Sequence, residues 1–189
     1  VINQSGQYSI GQSETNNEYY VIADGFPANE FLIVENRQSA GFDCSLPNGG
    51  LAIWHIDDEA GFNTEGYPGK NWPRNGDHYR VALAQADGLF DLETGRNRGS
   101  AYDLHRAGWV DAMAPGPDLH PNTDGYQNGD ITVTGHIISD ISETGPLMTF
   151  CLNECENGGA GDSDGGFGAP SDLAASLTKV GKGNNASLS

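Results

Sequence analysis

The feature that most constrains the fold of this chain is its apolar pattern, which alternates every two residues or runs continuously and lacks a helical period. Stretches such as EFLIVENR (30–37) and GLAIWHI (50–56) are short, rich in β-branched and aromatic residues, and bounded by turn-forming residues. No window of a dozen residues places apolar side chains at helical spacing. The pattern predicts a mainly β (β-rich α+β) protein, an antiparallel sheet or sandwich with long Gly, Asn and Asp loops.

Four further strands are predicted at 18–23, 79–86, 130–138 and 147–152. The segments between the strands are rich in Gly, Pro, Asn and Asp, which favour turns. Loops of this length in a folded domain usually carry a function or a bound ion.

Composition divides the chain into three parts. Residues 1–152 contain all the predicted strands and form the β-rich domain. Residues 153–169 are mostly Gly, Asp and Ser with little to bury, which is typical of a flexible linker. Residues 170–189 regain an alternating pattern and resemble the opening strands of a fibronectin type III module. We therefore expect the truncated start of such a module at that end.

The charge of the chain excludes two classes of partner. Nine Lys and Arg against 26 Asp and Glu give a formal net charge of -17, which repels nucleic-acid phosphates and anionic membrane surfaces. No apolar run approaches the roughly 20 residues that span a bilayer. We expect no nucleic-acid binding and no membrane insertion. Carboxylates in Gly-rich loops suit hard cations such as calcium, or they form a solvated acidic surface.

The three cysteines, Cys44, Cys151 and Cys155, do not form a zinc-binding pattern, because no CxxC pair or nearby histidine accompanies them. If the protein is exported, two of the three are expected to form a disulfide. The sequence leaves the pairing open.

The stretch GGLAIWHIDDE (49–59) is the strongest candidate for a functional centre. Alternation along a strand puts His55 and Asp57 on one face and Trp54 on the other. His55 and Asp57 could hydrogen-bond each other, share a metal, or fix the following loop. The chain contains no HExxH, GxSxG or P-loop motif. We therefore predict no catalytic residue and no organic-cofactor site.

A second acidic stretch contains Asp87, Asp91, Glu93 and Asp103 near turn glycines. This spacing can surround a calcium ion, although it is not an EF-hand loop, and the same acids could simply cap turns. The calcium ligands that we predict are Asp57, Asp87 and Asp103.

Four ordered segments carry a resemblance to a known family: EFLIVENRQSAGFDCSLPNGGLAIWHIDDE (30–59), YRVALAQADGLFDL (79–92), YDLHRAGW (102–109) and ITVTGHIISDISETGPLMTFCL (131–152). They closely resemble the later part of the peptidase domain in the immune inhibitor A family of secreted zinc metallopeptidases. The likeness spans about residues 18–152. Its linked ENRQ, LPxxGLxIWHxD and ADG motifs are quite specific.

The resemblance implies a secreted, zinc-dependent endopeptidase that acts on protein substrates and is often stabilised by calcium. The family's HExxH helix lies upstream of the ENRQ segment, so zinc is expected only there and the chain alone is expected to be inactive. Its role would be to buttress the upstream catalytic subdomain of the same polypeptide. The residues expected to have structural roles are Trp54, His55, Glu35, Asn36 and Arg37. The shared core would contain Trp54, Ile53, Phe31, Ile33, Val81 and Leu83.

The alternative is a non-catalytic, calcium-stabilised structural or adhesive β module of a cell-surface or extracellular protein. The upstream sequence separates the two hypotheses, because only the peptidase requires HExxH.

Overall fold

Two antiparallel sheets make up the fold, which confirms the prediction of a mainly β protein. The computed structural model describes residues 1–61 and 78–155. The strands are β1 (Gly6–Gly11), β2 (Tyr20–Ile22), β3 (Glu30–Arg37), β4 (Gly50–Asp57), β5 (Val81–Leu83), β6 (Ile138–Ser139) and β7 (Leu147–Leu152), with short 3₁₀ turns at Gly41–Asp43 and Gln127–Gly129. The fibronectin-like segment 170–189, and the linker from residue 156 onward, lie outside the described residues.

The four-stranded sheet has the order β2-β3-β4-β5, and the three-stranded sheet has the order β1-β7-β6. Within the larger sheet, β3 and β4 pair along their full length, from Glu30 opposite Asp57 to Arg37 opposite Gly50. In the smaller sheet, β1 pairs with β7 so that Gly6 lies opposite Leu152. The first and last strands of the described chain are therefore neighbours.

The core lies between the two sheets and takes alternate residues from each strand. Along β3 the burial alternates strictly, so Leu32 and Val34 point into the core while Phe31 and Ile33 point to the outer face. The core cluster contains residues of both sheets: Ile10, Ile22, Leu32, Val34, Leu51, Ile53, Ile138, Met148, Phe150 and Leu152. This shared burial holds the sheets together.

Asn36 adds a polar connection between the sheets. Its side chain is fully buried, and its amide group donates hydrogen bonds to the carbonyl oxygens of Ile10, at 3.1 Å, and Gly145, at 3.0 Å. Its carbonyl oxygen accepts a hydrogen bond from Gln38 Nε2 at 2.6 Å. A buried amide with these partners fixes the approach of β3 to β1.

Several predicted strands are shorter than expected, and one is wrong. Residues 130–138 do not form a strand, because Gly135 has a left-handed φ of 79° and only Ile138–Ser139 pairs with β7. The predicted strand 79–86 is reduced to β5, and 18–23 to β2. β1 was not predicted, since its two glycines and polar residues weaken the alternation of Tyr8 and Ile10.

The disulfide joins Cys151 to Cys155, with their Cα atoms 5.8 Å apart, and Cys44 is an exposed free thiol. The bond ties the end of β7 to the residues that follow it. Among the described residues, no helix has the length and apolar character needed to cross a membrane.

Candidate metal centre

Three polar residues converge at one end of three neighbouring strands of the larger sheet. Glu30 is the first residue of β3, Asp57 is the last residue of β4, and His78 precedes β5. Antiparallel pairing places Glu30 directly opposite Asp57. One potential ligand atom from each of the three lies within 4.8 Å of the other two, and all three residues are buried. The described residues therefore contain a cluster that could bind a metal ion.

Each carboxylate of the cluster pairs with one histidine. His55 Nε2 lies 2.7 Å from Glu30 Oε1, and His78 Nε2 lies 2.7 Å from Asp57 Oδ2. These bonds are expected to have the imidazole N–H as donor and the carboxylate as acceptor. The two carboxylates thus have separate partners although they face each other across the strands.

The loop around Gln127 closes over the cluster. The backbone amides of Tyr126 and Gln127 donate to Glu30 at 2.6 and 3.3 Å, and Gln127 Nε2 donates to Asp57 Oδ1 at 3.1 Å. Gly125 allows this close approach, because a Cβ there would lie 2.9 Å from Glu30 Oε2. The side chains of Glu30, Asp57 and His78 are all fully shielded from solvent by this packing.

The pKa of Asp57 is lowered from its ordinary value. Burial opposes ionisation, but hydrogen bonds from Gln127, from the Glu59 amide and from His78 outweigh it. Tyr126 behaves differently: burial raises the pKa of its phenol, whose hydroxyl donates to Asn122 Oδ1 at 2.5 Å. Asp57 is therefore held as a carboxylate, the form that binds cations.

A hydrogen bond between His55 and Asp57 was one of the three possibilities left open by the sequence, and the structure pairs each of them with another residue. Both side chains do lie on the core face of β4, as the alternation predicted. However, His55 turns to Glu30 on β3, while Asp57 turns to His78. His55 lies directly opposite Leu32 and Asp57 directly opposite Glu30, so the bond between His55 and Glu30 joins diagonal neighbours on the two paired strands.

Asp87 and Asp103, the other two predicted calcium ligands, lie in the second acidic stretch. Asp87 Oδ1 accepts a hydrogen bond from the Leu89 amide, and Asp103 accepts two from Ser100. Burial, together with the charges of Asp103 and Asp91, raises the pKa of Asp87. Among the described residues, these acids do not converge on one point as the Glu30 cluster does. Their binding of calcium stays a prediction.

Three of the residues expected to be structural, Trp54, Glu35 and Arg37, form a connected set on the outer face of β3 and β4, whereas His55 and Asn36 are buried on the core face. Trp54 Nε1 donates to Glu35 Oε2 at 3.2 Å, and Arg37 donates to the same oxygen at 3.3 Å. Arg37 also forms an ion pair with Asp43, in the 3₁₀ turn that follows β3. These contacts fix the start of the β3–β4 connection.

Two pockets flank the sheet. A cavity of about 50 Å³ beside the cluster is lined by His55, His120, Glu93 and Tyr126 among others, and has room for a few water molecules. A larger pocket of about 260 Å³ lies on the outer face next to Trp54 and Arg98. Both are smaller than the roughly 300–1,000 Å³ of typical small-molecule sites.

Sequence reasoning singled out Asp57 but missed Glu30 and His78. The missing information was the tertiary arrangement. Strand register places Glu30 opposite Asp57, although it lies 27 positions earlier in the chain, and packing brings in His78, which lies 21 positions later. A signal was present, because Glu30 begins one predicted strand, Asp57 immediately follows the next, and His78 immediately precedes a third.

Comparison with known proteins finds no similar protein. No family model, no curated protein and no solved structure matches the chain.

Proposed function

We propose that this chain is the β-rich structural part of a secreted zinc-dependent endopeptidase, and that it buttresses a catalytic subdomain supplied by the upstream part of the same polypeptide. The resemblance of residues 18–152 to the immune inhibitor A family motivates the proposal. One structural observation carries it, the apolar outer face of the larger sheet.

The outer face contains a row of large apolar residues across three strands. Phe31 lies opposite Ile56, which lies opposite Val81, and all three side chains are partly exposed, Val81 to 39%. Antiparallel sheets with one solvated face normally show polar residues there. An apolar row on the outer face is typical of a sheet covered on both sides, and the occupant we propose is the upstream catalytic subdomain.

The neighbouring row, Ile33, Trp54 and Leu83, is already partly covered by the chain itself. Leu83 packs with Ala52 and Leu104, and Trp54 packs against that small cluster. Within residues 1–61 and 78–155, the row of Phe31, Ile56 and Val81 is the part of this face that we propose as the binding surface for the partner.

The disulfide supports the extracellular location that this function requires. Cys151 and Cys155 form a bond of the kind that persists in oxidising compartments. The buried, fully packed cluster of Glu30, Asp57 and His78 suits a structural role better than catalysis, since a catalytic site must admit a substrate.

The direct test uses the full-length polypeptide. Casein or gelatin hydrolysis that a chelator abolishes is expected, together with an HExxH motif upstream of Val1. Absence of both the motif and the activity in a zinc-replete preparation would overturn the proposal.

A second test uses this chain alone. Phe31→Lys and Val81→Lys should raise its solubility and reduce self-association, because each interrupts the exposed apolar row. Val133→Lys is the matched control, since Val133 is 61% exposed but does not belong to the row. A wild-type chain that is already monodisperse and soluble would count against the buttressing role.

The buried cluster favours a second candidate function, a non-catalytic extracellular β module stabilised by a divalent cation. Calcium is the ion predicted from the sequence, with Asp57, Asp87 and Asp103 as ligands. For this candidate we expect a chelator to lower the melting temperature. A melting temperature that no divalent cation changes would rule out this candidate function.

A further inference from the structure

Two carboxylates with almost no access to water lie opposite each other on neighbouring strands, and burying both of their charges costs free energy. Glu30 is 1% exposed and Asp57 is fully buried, and they are direct neighbours across β3 and β4. Like charges at opposed positions repel, and a buried charge without a counter-charge is costly. The groups that contact the carboxylates are His55, His78, Gln127 and backbone amides, which orient them by hydrogen bonds. A cation bound between the two carboxylates would balance the charge of both.

The oxygen atoms differ in how much bonding capacity they retain. Glu30 Oε1 accepts hydrogen bonds from His55 and the Tyr126 amide, and Asp57 Oδ1 accepts from Gln127 and the Glu59 amide. Among the described residues, Glu30 Oε2 accepts only the 3.3 Å bond from the Gln127 amide, and Asp57 Oδ2 accepts only from His78. These two oxygens are the ones best placed to coordinate an ion.

The geometry is close to that of a zinc site. With metal–ligand bonds of about 2.0–2.1 Å, the ligand atoms of a tetrahedral zinc ion are separated by roughly 3.3 Å. The ligand atoms of Glu30, Asp57 and His78 all lie within 4.8 Å of one another. Side-chain adjustments of about 1 Å or less per residue would bring them to bonding distance.

The ligand types identify the class of ion. Calcium takes six to eight oxygen ligands and does not favour imidazole. One histidine nitrogen with two carboxylate oxygens is a set that suits zinc, with a fourth position open to water or a second carboxylate oxygen.

We propose, on the basis of the second candidate function, that Glu30, Asp57 and His78 bind one Zn²⁺ ion that clamps the ends of β3, β4 and β5 together. His55 acts as a positioning residue, because its hydrogen bond orients Glu30. The ion is thus distinct from the zinc expected in the upstream catalytic part, and it differs from the calcium predicted from the sequence.

The first measurement is metal content and affinity on the full 189-residue chain. The protein is stripped with a chelator, dialysed, and titrated with Zn²⁺, Ca²⁺ or Mg²⁺ by calorimetry. We expect one Zn²⁺ per chain and a rise in melting temperature of about 5–10 °C when free Zn²⁺ is about 100 times Kd.

Variants assign the binding to the cluster. Asp57→Asn and His78→Gln should weaken Zn²⁺ binding by more than the roughly 10–100-fold that loss of an orienting partner causes, and His55→Asn should fall within that range. His120→Gln and Asp130→Asn are the controls, since they remove a histidine and an exposed acid outside the cluster and should leave the affinity unchanged.

A measurement on the wild-type chain covers the case in which the ligand variants do not fold. Co²⁺ in place of Zn²⁺ should give the intense visible absorption of a tetrahedral site, and one equivalent of Zn²⁺ should remove it.

The outcomes test the zinc site separately from the cation-stabilised module on which it rests. If no divalent cation binds or stabilises the chain, both the cation-stabilised module and the zinc site are wrong. If Ca²⁺ stabilises it and Zn²⁺ does not, the module survives and the zinc site is wrong. Zn²⁺ binding that His78→Gln leaves unchanged, or an octahedral Co²⁺ spectrum, also overturns the site.

Discussion

The side-chain amide of Asn36 donates a buried hydrogen bond to the carbonyl oxygen of Ile10 at 3.1 Å, and this bond crosses from one sheet to the other. It is supplemented by the bond to Gly145, so one side chain connects three segments that are distant in sequence. Asn36 belongs to the ENRQ stretch, and the structure gives that stretch a physical role.

Asn36→Ala should destabilise the fold by about 2–4 kcal/mol, because it removes the donors to the buried Ile10 carbonyl and the partly buried Gly145 carbonyl and leaves a void. Urea unfolding followed by circular dichroism measures the change. Asn17→Ala is the matched control, since Asn17 is exposed and should change stability by less than about 0.5 kcal/mol. Equal effects of the two variants would contradict the connecting role of Asn36.

His105 should make stability fall as the solution is acidified. Burial lowers its pKa from 6.5 to about 4, outweighing the hydrogen bond to the Ala84 carbonyl. Between these two values the unfolded chain binds a proton that the folded chain does not. The contribution of His105 to the free energy of unfolding is therefore fully present above pH 6.5. It is lost as the pH falls towards 4, which lowers the free energy of unfolding by about 3 kcal/mol in all.

The check is the slope of unfolding free energy against pH. His105→Gln should flatten the profile between pH 6.5 and 4. Leu51→Val, which weakens packing at the strand that bridges to His105, should lower the whole curve without changing its slope in that interval. An unchanged slope in the His105→Gln variant would refute the assignment.

Asp87→Asn should stabilise the calcium-free protein at pH 7 by about 0.5 kcal/mol, since it removes a partly buried charge that repels Asp103 and Asp91. Because the pKa of Asp87 is raised, the carboxyl costs stability only when ionised, and the gain should disappear as the pH falls below that pKa. Thermal melts at several pH values measure this difference, with the exposed Asp130→Asn as the neutral control.

Millimolar calcium changes the expectation for Asp87 if the predicted calcium site exists. The wild-type melting temperature should then rise while that of Asp87→Asn stays constant. Equal responses of both proteins would remove Asp87 from the predicted ligands.

Cys44 should be the single reactive thiol of the native chain. It is exposed, whereas Cys151 and Cys155 are joined in a disulfide. Titration with a thiol reagent should detect one thiol per chain, and Cys44→Ser should reduce the count to zero. A peptide map in which Cys44 is linked to either of the other cysteines would contradict this pairing.

The strands with continuous apolar or alternating patterns were predictable from the sequence. β3, β4 and β7 follow the predicted ranges closely because their burial is dictated by local alternation. β1 and the segment 130–138 were not, since their conformations depend on pairing with distant segments and on Gly135.

The candidate site was only partly predictable for the same reason. The position of Asp57 at the end of a buried strand is a local property of GLAIWHID. Its neighbours Glu30 and His78 are set by register and by packing of the Gln127 loop, neither of which a period-two pattern encodes. The face on which a residue lies could be predicted, but not its partner.

The pairing of β1 with β7 has a mechanical consequence. Because Gly6 lies opposite Leu152, tension applied through the two ends of the described chain pulls on the same end of one ladder. The hydrogen bonds would then break one after another, as in a zipper, instead of sharing the load in shear. We expect a pulled chain to open first at this edge, at low force in an optical trap, while the hairpin of β3 and β4 remains closed around its carboxylates.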